Sequence, residues 1–386
     1  MRGRIVVWST RVQGIGGDLG LRRLVVVVVV ALMAVHLSAT PAAAAVGPFG
    51  PPQTVVGGCS ADSADSVTRS TGAVTGFAAC RSSAGLLIRF FSLNPDGSVN
   101  PSETTGFTGQ VLGVTDDATA TYILYFTGTQ IRIGKRTNAG AFSSRGLYNW
   151  SGVSRPTGDV IAQNGQWFGV WSVQVGPTEF APMELFSAGT VVPVQRVTTT
   201  GGNVDDHSPT LSYAGTVPVL IWARTTSPAM PGPSDLMVAK HFGGGWQAER
   251  VFASLGTDNL SPDMTIRAGR TFVTWTRDGA TMVASNPTGS FTSHRFLTAG
   301  FGPKVAASTT SGMVDHVFVS WTSTATGTER VFFAESTTTG TVQGTWSGTY
   351  ITPAGTVTFG VGGFATKATV VYGVTASPSV AARSQT

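Results

Sequence analysis

The chain has 386 residues, of which 41% are hydrophobic and 12% charged, with 25 basic and 20 acidic side chains. The plentiful apolar residues and nine tryptophans exclude a disordered chain. Five of the arginines lie in the first 45 residues beside a single aspartate, so the rest of the chain is almost neutral. A near-neutral chain has no long-range field that would attract nucleic acid or an anionic membrane, and we expect neither as a partner.

The first segment is typical of a secretory signal peptide. Two arginines precede the apolar run 24–37, and the alanine run 42–45 follows with an A-x-A cleavage pattern. This apolar run is shorter than the roughly 20 residues that cross a bilayer as a helix. We therefore predict that residues 1–45 are removed, that the mature chain has no stable membrane span, and that it is secreted to the extracellular space. A membrane anchor is the alternative interpretation.

Two cysteines, Cys59 and Cys80, follow the signal segment. An even number of cysteines in an exported protein usually forms disulfides, because the extracellular compartment is oxidising. We therefore predict a disulfide between Cys59 and Cys80, with two buried free thiols as the alternative.

The rest of the chain repeats one layout of four short strands. The clearest copy has strands at 208–213, 217–224, 236–241 and 247–252. In each copy one residue, mostly aromatic, ends the second strand, and we call it the anchor. The anchors are Cys80, Tyr125, Trp171, Trp222, Trp275, Trp321 and Tyr372. Their spacing is close to the about 40–50 residues of one four-stranded propeller blade.

Seven anchors predict an all-β fold, a single β-propeller of seven four-stranded blades over residues 46–386, with six blades as the alternative. The last copy lacks an outer strand, and the segment 53–56 has the pattern of one. We therefore predict that the N-terminal strand completes the last blade, because a closed ring leaves few exposed strand edges. The predicted disulfide would tie this closing strand to the next blade.

The recurring pattern of strand, anchor tryptophan and strand, over 53–386, resembles the secreted bacterial sialidase-like (BNR-like) β-propeller superfamily. No blade contains that superfamily's Asp-box, S-x-D-x-G-x-T-W, and the segments 94–97 and 277–281 are hairpin turns with part of its pattern. Sialidases have six blades, and their catalytic residues have no counterparts here that match residue by residue. The resemblance implies the fold and a glycan ligand.

Polar side chains gather in the loops that join one blade's outer strand to the next blade's inner strand, and we call this end of the propeller the loop face. The run 205–207 precedes a Ser-Pro pair, and Asp258 and Asn259 repeat this pattern one copy later. Arg224 and Arg277 lie two residues beyond their anchor tryptophans, so strand alternation places them near the same ends. The predicted ligand-binding residues are Asp206, His207, Arg224, Asp258, Asn259, Arg277, Trp150 and Arg155, and the candidate catalytic carboxylates are Asp205, Asp206 and Asp258. The same set of loops contains Asp62, Asp65 and Lys304.

Carboxylates in facing loops suit three chemistries. They can perform acid–base work on a glycoside, bind Ca²⁺ through oxygen ligands, or accept hydrogen bonds from a sugar. The structural alternative is that Asp and Asn accept backbone N–H groups where the next strand starts. The histidines lack the spacing of metal ligands, so we predict no metal site and no cofactor, with Ca²⁺ as the alternative.

The missing catalytic motif favours an exported, non-catalytic binding protein that recognises a glycan or another cell-envelope component through the loop face. The alternatives are a sialidase-like glycoside hydrolase or lyase and a scaffold for protein partners, since a fold does not fix a function. A glycoside hydrolase needs two carboxylates about 5–10 Å apart in one pocket, and at least one of these carboxylates should have a shifted pKa. A lectin-like protein needs exposed aromatic side chains, for which Trp150 is the candidate. We expect a monomer.

Overall fold

The computed structural model describes residues 46–83, 85–175, 181–198, 204–225, 233–247, 250–253, 258–286, 293–309, 314–336, 346–374 and 378–386. The predicted signal peptide lies outside these residues. Within them the regular structure is entirely β, and no helix is long and apolar enough to cross a membrane. Residues Ala44–Thr386 form one compact unit.

The strands form seven antiparallel sheets, which are the blades of a propeller. The first strand is β1 (Gln53–Gly57). Blade 1 contains β2 (Ser60–Thr68), β3 (Val74–Ser82), β4 (Gly85–Leu93) and β5 (Val99–Thr108). Blade 2 contains β6 (Gln110–Asp116), β7 (Ala120–Phe126), β8 (Gln130–Thr137) and β9 (Phe142–Asn149). Blade 3 contains β10 (Gly158–Gln163), β11 (Gln166–Gln174), β12 (Met183–Gly189) and β13 (Gln195–Arg196).

The remaining blades follow the same order from the axis outwards. Blade 4 contains β14 (Asp205–Ala214), β15 (Val217–Thr225) and β16 (Ser234–Phe242), and β16 pairs with both β17 (Gly245–Trp246) and β18 (Arg250–Ala253). Blade 5 contains β19 (Asn259–Arg267), β20 (Arg270–Arg277), β21 (Ala280–Asn286) and β22 (Ser293–Ala299). Blade 6 contains β23 (Phe301–Thr309), β24 (Val314–Ser323), β25 (Arg330–Ser336) and β26 (Trp346–Tyr350). Blade 7 contains β27 (Thr356–Phe364), β28 (Lys367–Val374), β29 (Ser379–Ser384) and β1.

The N-terminal strand closes the ring. β1 runs antiparallel to β29, with Gln53 opposite Ala382 and Val56 opposite Val380. Just beyond β1, the predicted disulfide joins Cys59 to Cys80 on β3, and so links the closing segment to blade 1. The predictions of an all-β propeller, seven blades, N-terminal closure and this disulfide are confirmed.

The large anchor side chains fill the space between neighbouring blades. Trp171, Trp222 and Trp321 are completely buried, because blades widen away from the axis and leave wedges that bulky side chains fill. The anchor of blade 1 needs a correction. In blade 3, Asp159 on the first strand pairs with Val170, the residue directly before the anchor Trp171. In blade 1, the equivalent aspartate, Asp65, pairs with Phe77, so the residue in the anchor position is Ala78. Cys80, which the sequence predicted as the anchor, lies two residues beyond it.

The first strand of each blade lines the propeller axis. Each of these strands packs against the first strand of the next blade, and the last of them, β27, packs against β2. Two glycines permit close approach at this seam, since a Cβ atom on Gly360 would lie 2.6 Å from Ser66 Oγ and one on Gly362 would overlap Thr68 Oγ1. The axis is therefore enclosed by seven short strands, and the side chains that face it are brought together from the whole length of the chain.

Candidate functional site

A cavity of about 860 Å³ lies on the propeller axis, and we call it the axial cavity. The first strands of all seven blades line it. It reaches the turns between first and second strands, such as 69–71 and 267–269, so it lies towards the end opposite the loop face. A smaller cavity of about 200 Å³ lies at the loop-face end, and Lys304 lines both. Volumes of several hundred Å³ are typical of small-ligand sites.

Among the charged side chains that line the axial cavity, four come from equivalent positions on the first strands of four different blades. Asp65 comes from β2, Asp159 from β10, Asp263 from β19 and Lys304 from β23. Lys304 Nζ lies 3.6 Å from Asp263 Oδ1, and these two side chains keep 36% and 20% of their surface exposed. Three carboxylates and a single ammonium group therefore share one enclosed space that a ligand can still reach.

Each of these aspartates also joins its own blade to the next one. The Oδ2 atoms accept backbone N–H groups at 2.7 to 2.8 Å, in the pairs Asp65–Val114, Asp159–Leu211 and Asp263–Val305. The Oδ1 atoms of Asp65 and Asp159 accept the N–H group of the residue that follows each of them. A carboxylate has about four acceptor positions, so both side chains can hold the blades together and still accept a hydrogen bond from a ligand.

Burial and the charges of neighbouring groups change the pKa values of these four side chains. Burial raises the pKa of Asp159 to about 7, and the charge of Asp65 adds to the shift. Burial also raises the pKa of Asp65 to about 6, although the Lys304 charge opposes it, and raises the pKa of Asp263. Burial disfavours the charged form of Lys304, but the three carboxylates outweigh burial and raise its pKa. Lys304 therefore stays an ammonium group, and Asp159 exchanges its proton near neutral pH.

Replacing Asp159 with Asn should remove a pH-dependent part of the free energy of unfolding. The folded carboxyl keeps its proton up to about pH 7, whereas an unfolded aspartate releases it near pH 3.9. Because the folded pKa is the raised one, this contribution is greatest at low pH and is lost as the pH rises from about 4 to about 7. We expect the Tm of the wild type, measured by thermal unfolding from pH 5 to pH 8, to fall relative to that of Asp159→Asn.

The control for this comparison is Asp96→Asn in an exposed turn. A hydrogen bond from Ser98 lowers the pKa of Asp96, so it titrates below the range of the experiment. The Tm difference between the wild type and this control should be constant from pH 5 to pH 8. If the Tm difference between the wild type and Asp159→Asn is also constant from pH 5 to pH 8, burial does not raise the Asp159 pKa.

The outer part of the axial cavity is polar. Arg69 Nη2 donates to Asp116 Oδ2 at 2.7 Å and to Thr121 Oγ1 at 3.0 Å, which fixes the guanidinium group at the rim. Two buried polar atoms of the lining, Arg69 Nε and Thr68 Oγ1, have no hydrogen-bond partner within the described part of the chain. Such buried atoms are costly to leave unsatisfied, and they are part of the packing between blades at the rim.

The structure places the predicted pair Asp206 and Arg224 in the core of blade 4. Asp206 is completely buried. Its carboxylate accepts two hydrogen bonds from Arg224, at 2.7 and 2.9 Å, and one from Trp222 Nε1 at 2.8 Å. Asn259 is equivalent in blade 5, where its Oδ1 accepts from Trp275 Nε1 at 3.0 Å and its Nδ2 donates to Ser234 O. These contacts fix the anchor tryptophans.

The other residues of this group also make contacts that hold strands together. Asp205 Oδ1 accepts from Met183 N on blade 3 at 2.8 Å, and Asp258 Oδ1 accepts from the Ser234 hydroxyl at 2.9 Å. His207 lies 3.1 Å from Ser208 Oγ, and burial lowers the His207 pKa, so the imidazole is neutral at pH 7. Arg277 is the cross-strand partner of Asn259.

Trp150 and Arg155 lie apart from this group. Trp150 is 9% exposed, its Nε1 donates to Gly152 O at 2.8 Å, and its ring packs edge-on against Phe126. It is therefore not the exposed aromatic side chain that the sequence predicts. Arg155 is 64% exposed and its Nη1 lies 3.1 Å from Asp62 Oδ2. The ligand-binding and catalytic roles assigned from sequence to all these residues remain predictions.

The sequence placed Asp65 and Lys304 in loops, and the structure places both in first strands on the axis. Asp159 and Asp263 were not predicted as site residues. The signal that could have found them is their equivalent position, since Asp159 pairs with the residue before Trp171 and Asp263 with the residue before Trp275. Within the described residues, no group of three or more His, Cys, Asp or Glu side chains could hold a metal ion.

No family model and no curated protein matches this chain. Solved structures match its fold. The α-L-arabinanase of Penicillium chrysogenum, complexed with arabinobiose, has 10% identity and a TM-score of 0.50, and the match covers 73% of this chain and 94% of the arabinanase. The Cps50 (Swd1) β-propeller domain of Myceliophteria thermophila has 8% identity and a TM-score of 0.51, and the match covers 88% of this chain and 100% of that domain.

A puromycin-hydrolyzing peptidase of Mycobacterium tuberculosis has 12% identity and a TM-score of 0.51, and the match covers 88% of this chain. This chain spans 55% of the peptidase's own length. At these identities the similarity concerns the fold alone. It agrees with a β-propeller fold, and it assigns no reaction.

Proposed function

We propose that this exported protein binds a polyhydroxylated ligand, a short saccharide segment of a glycan or cell-envelope polymer, in the axial cavity, and that it does not transform this ligand. The observation that carries the proposal is the cavity of about 860 Å³ with a charged and polar lining from all seven blades. Sugar hydroxyls both donate and accept hydrogen bonds, so they suit a lining of carboxylates, an ammonium group and hydroxyls. This proposal moves the site from the loop face to the axis.

The polar rim of the axial cavity supports a polar ligand. Arg69 and Asp116 form an ion pair there and line the cavity together with Thr68. An apolar ligand would remove solvent from these groups at a cost in free energy, whereas a polyhydroxylated ligand can form hydrogen bonds with them. The arabinanase with the same fold was solved with arabinobiose, and a saccharide ligand for this propeller is consistent with that complex.

The hydrogen bonds of the carboxylates favour binding over catalysis. Both oxygens of Asp159 accept backbone N–H groups at 2.7 Å, and these bonds hold the carboxyl group between blades 3 and 4. This structural role accounts for the buried aspartate without a reaction.

A sialidase-like glycoside hydrolase or lyase is the second candidate. The raised pKa values of Asp65, about 6, and Asp159, about 7, favour it, because general acids and bases work best with a pKa near the working pH. The two candidates differ in one observable, which is whether a bound saccharide is released unchanged or as products.

A glycan-array screen of residues 46–386 tests the proposal with two tryptophan substitutions. Thr265→Trp fills the axial cavity from β19 without removing a member of the charged cluster. Thr104→Trp is the control on the exposed outer strand of blade 1. We expect the wild type and Thr104→Trp to bind the same glycans and Thr265→Trp to lose at least ten-fold in affinity, with all three proteins shown to be folded by their Tm.

If Thr265→Trp leaves glycan binding unchanged, the axial site is contradicted. The loop face around Arg155 then becomes the candidate site. Chromatography of the bound glycan after incubation separates the two candidate functions. An unchanged glycan supports the binding protein, and shorter or eliminated products would support the hydrolase or lyase.

A further inference from the structure

Glu335 on β25 is a buried carboxylate that faces the start of the described chain. It is nine-tenths buried. Its Oε2 accepts from Gln385 Nε2 at 2.8 Å, and its Oε1 accepts from Gly47 N at 3.3 Å. Over the described ranges, no lysine or arginine side chain lies within ion-pair distance of it. An ionised carboxylate in such a place is costly unless a cation reaches it.

The neighbouring residues hold the start of the chain against Glu335. Gln385 Oε1 accepts from Ala368 N at 2.7 Å, so the amide group of Gln385 is oriented with its nitrogen towards Glu335. Phe49 packs edge-on against Phe333 with ring centres 5.0 Å apart. Arg383 donates to the carbonyl oxygens of Phe49 and Gly50, at 3.3 and 2.8 Å.

We propose that the α-ammonium group of Val46, formed when residues 1–45 are removed, is the cation that pairs with Glu335. Hydrolysis of the Ala45–Val46 peptide bond by an external peptidase consumes one water and leaves a carboxylate on Ala45 and an ammonium group on Val46. Val46 directly precedes Gly47, whose N–H group already binds Glu335, so the new group lies within one residue of the carboxylate. An α-amino group has a pKa of about 7.7–8.0 and is charged at pH 7.

Processing would thus create a buried ion pair at the point where the chain enters the closing strand. Before cleavage, position 46 carries a neutral amide, and Glu335 has only neutral donors. After cleavage, one charge pair links blade 6 to the segment that leads into β1 and blade 7. The inference depends on the predicted cleavage and is independent of the axial cavity, so either can fail without the other.

The test compares residues 46–386 with a free and with an acetylated N-terminus, since acetylation removes the charge and keeps the chain. We expect acetylation to lower the Tm of the wild type by about 2–4 °C. In Glu335→Gln, which keeps a hydrogen-bond acceptor for Gly47, acetylation should have no measurable effect. The control Glu329→Gln changes an exposed glutamate just before the start of β25, at the other end of the strand from Glu335, and there acetylation should act as in the wild type.

An equal effect of acetylation in the wild type and Glu335→Gln would overturn the inference. A second measurement needs no variant. The Val46 amine of the folded protein should react at least ten-fold more slowly with an N-hydroxysuccinimide ester at pH 7 than the amine of the urea-unfolded chain, and equal rates would count against the pair. Mass analysis of the protein exported from the full chain should give Val46 as the first residue, and another first residue would also overturn the inference.

Discussion

Replacing Asp206 with Ala should lower the free energy of unfolding by about 3–5 kcal/mol, the cost of removing one partner of a buried ion pair. The carboxylate is completely buried and accepts hydrogen bonds from Arg224 and Trp222. Without it, a largely buried guanidinium group loses its bonds to this carboxylate and an indole N–H loses the same acceptor. Urea denaturation followed by tryptophan fluorescence measures the change.

Asp206→Asn separates the two contacts. An amide oxygen can still accept from Trp222 Nε1, as Asn259 does from Trp275 in blade 5, but it carries no charge for Arg224. We therefore expect a smaller loss for Asn than for Ala. Arg155→Ala is the control at an exposed position, where a change within about 0.5 kcal/mol is normal. A loss below about 1 kcal/mol for Asp206→Ala would show that the contact does not hold blade 4 together.

Replacing both cysteines, Cys59→Ala with Cys80→Ala, should lower the free energy of unfolding by about 2–5 kcal/mol. The bond closes a loop between residues 21 apart in sequence and links the segment after β1 to β3. Its loss frees the unfolded chain and loosens the joint between the last blade and the first. A reducing agent should lower the Tm of the wild type and leave that of the double variant unchanged.

Hydrogen exchange shows whether the effect is local to the closing joint. We expect backbone amides of β1 and β29 to exchange faster in the double variant, while amides of β15 in blade 4 keep their protection. Uniformly faster exchange over all blades would contradict a role of the disulfide in ring closure.

The fold could be predicted from sequence because its main signals are local and repeated. An apolar second strand with a bulky anchor recurs in almost every blade, and each anchor fills the same wedge between blades. The closing strand could be predicted because the last copy lacked an outer strand and the segment before Cys59 had the pattern of one. Blade 1 shows the limit of this pattern, since a small residue, Ala78, occupies its anchor position.

The axial cluster could not be predicted in the same way. Its members occupy one equivalent position, but Gly113, Thr210 and Gly360 hold that position in other blades, so an aspartate recurs in only three of the seven blades. Register shifts in six of the seven first strands also displace the side chains that follow them. These shifts lie at Ala61/Ser63, Val111/Gly113, His207/Thr210, Leu260/Asp263, Phe301/Lys304 and Thr358/Gly360. Polar residues near a strand start therefore looked like loop residues.

The repeated residues of the loop face show a second limit of sequence reasoning. Asp206 and Asn259 repeat in sequence because each accepts a hydrogen bond from an anchor tryptophan, which is a structural need of the blade. A repeated polar residue in a propeller can thus report packing. The three equivalent aspartates of the axis also hold blades together, and with Lys304 they line the axial cavity as well.

The position of the bound saccharide can be seen in a crystal structure of residues 46–386 with the glycan that binds most tightly in the array. We expect saccharide density inside the propeller axis, with hydroxyl groups within hydrogen-bond distance of at least two of Asp65, Asp159, Asp263 and Lys304. Saccharide density on the loop face near Arg155, with the axis occupied only by water, would contradict this expectation.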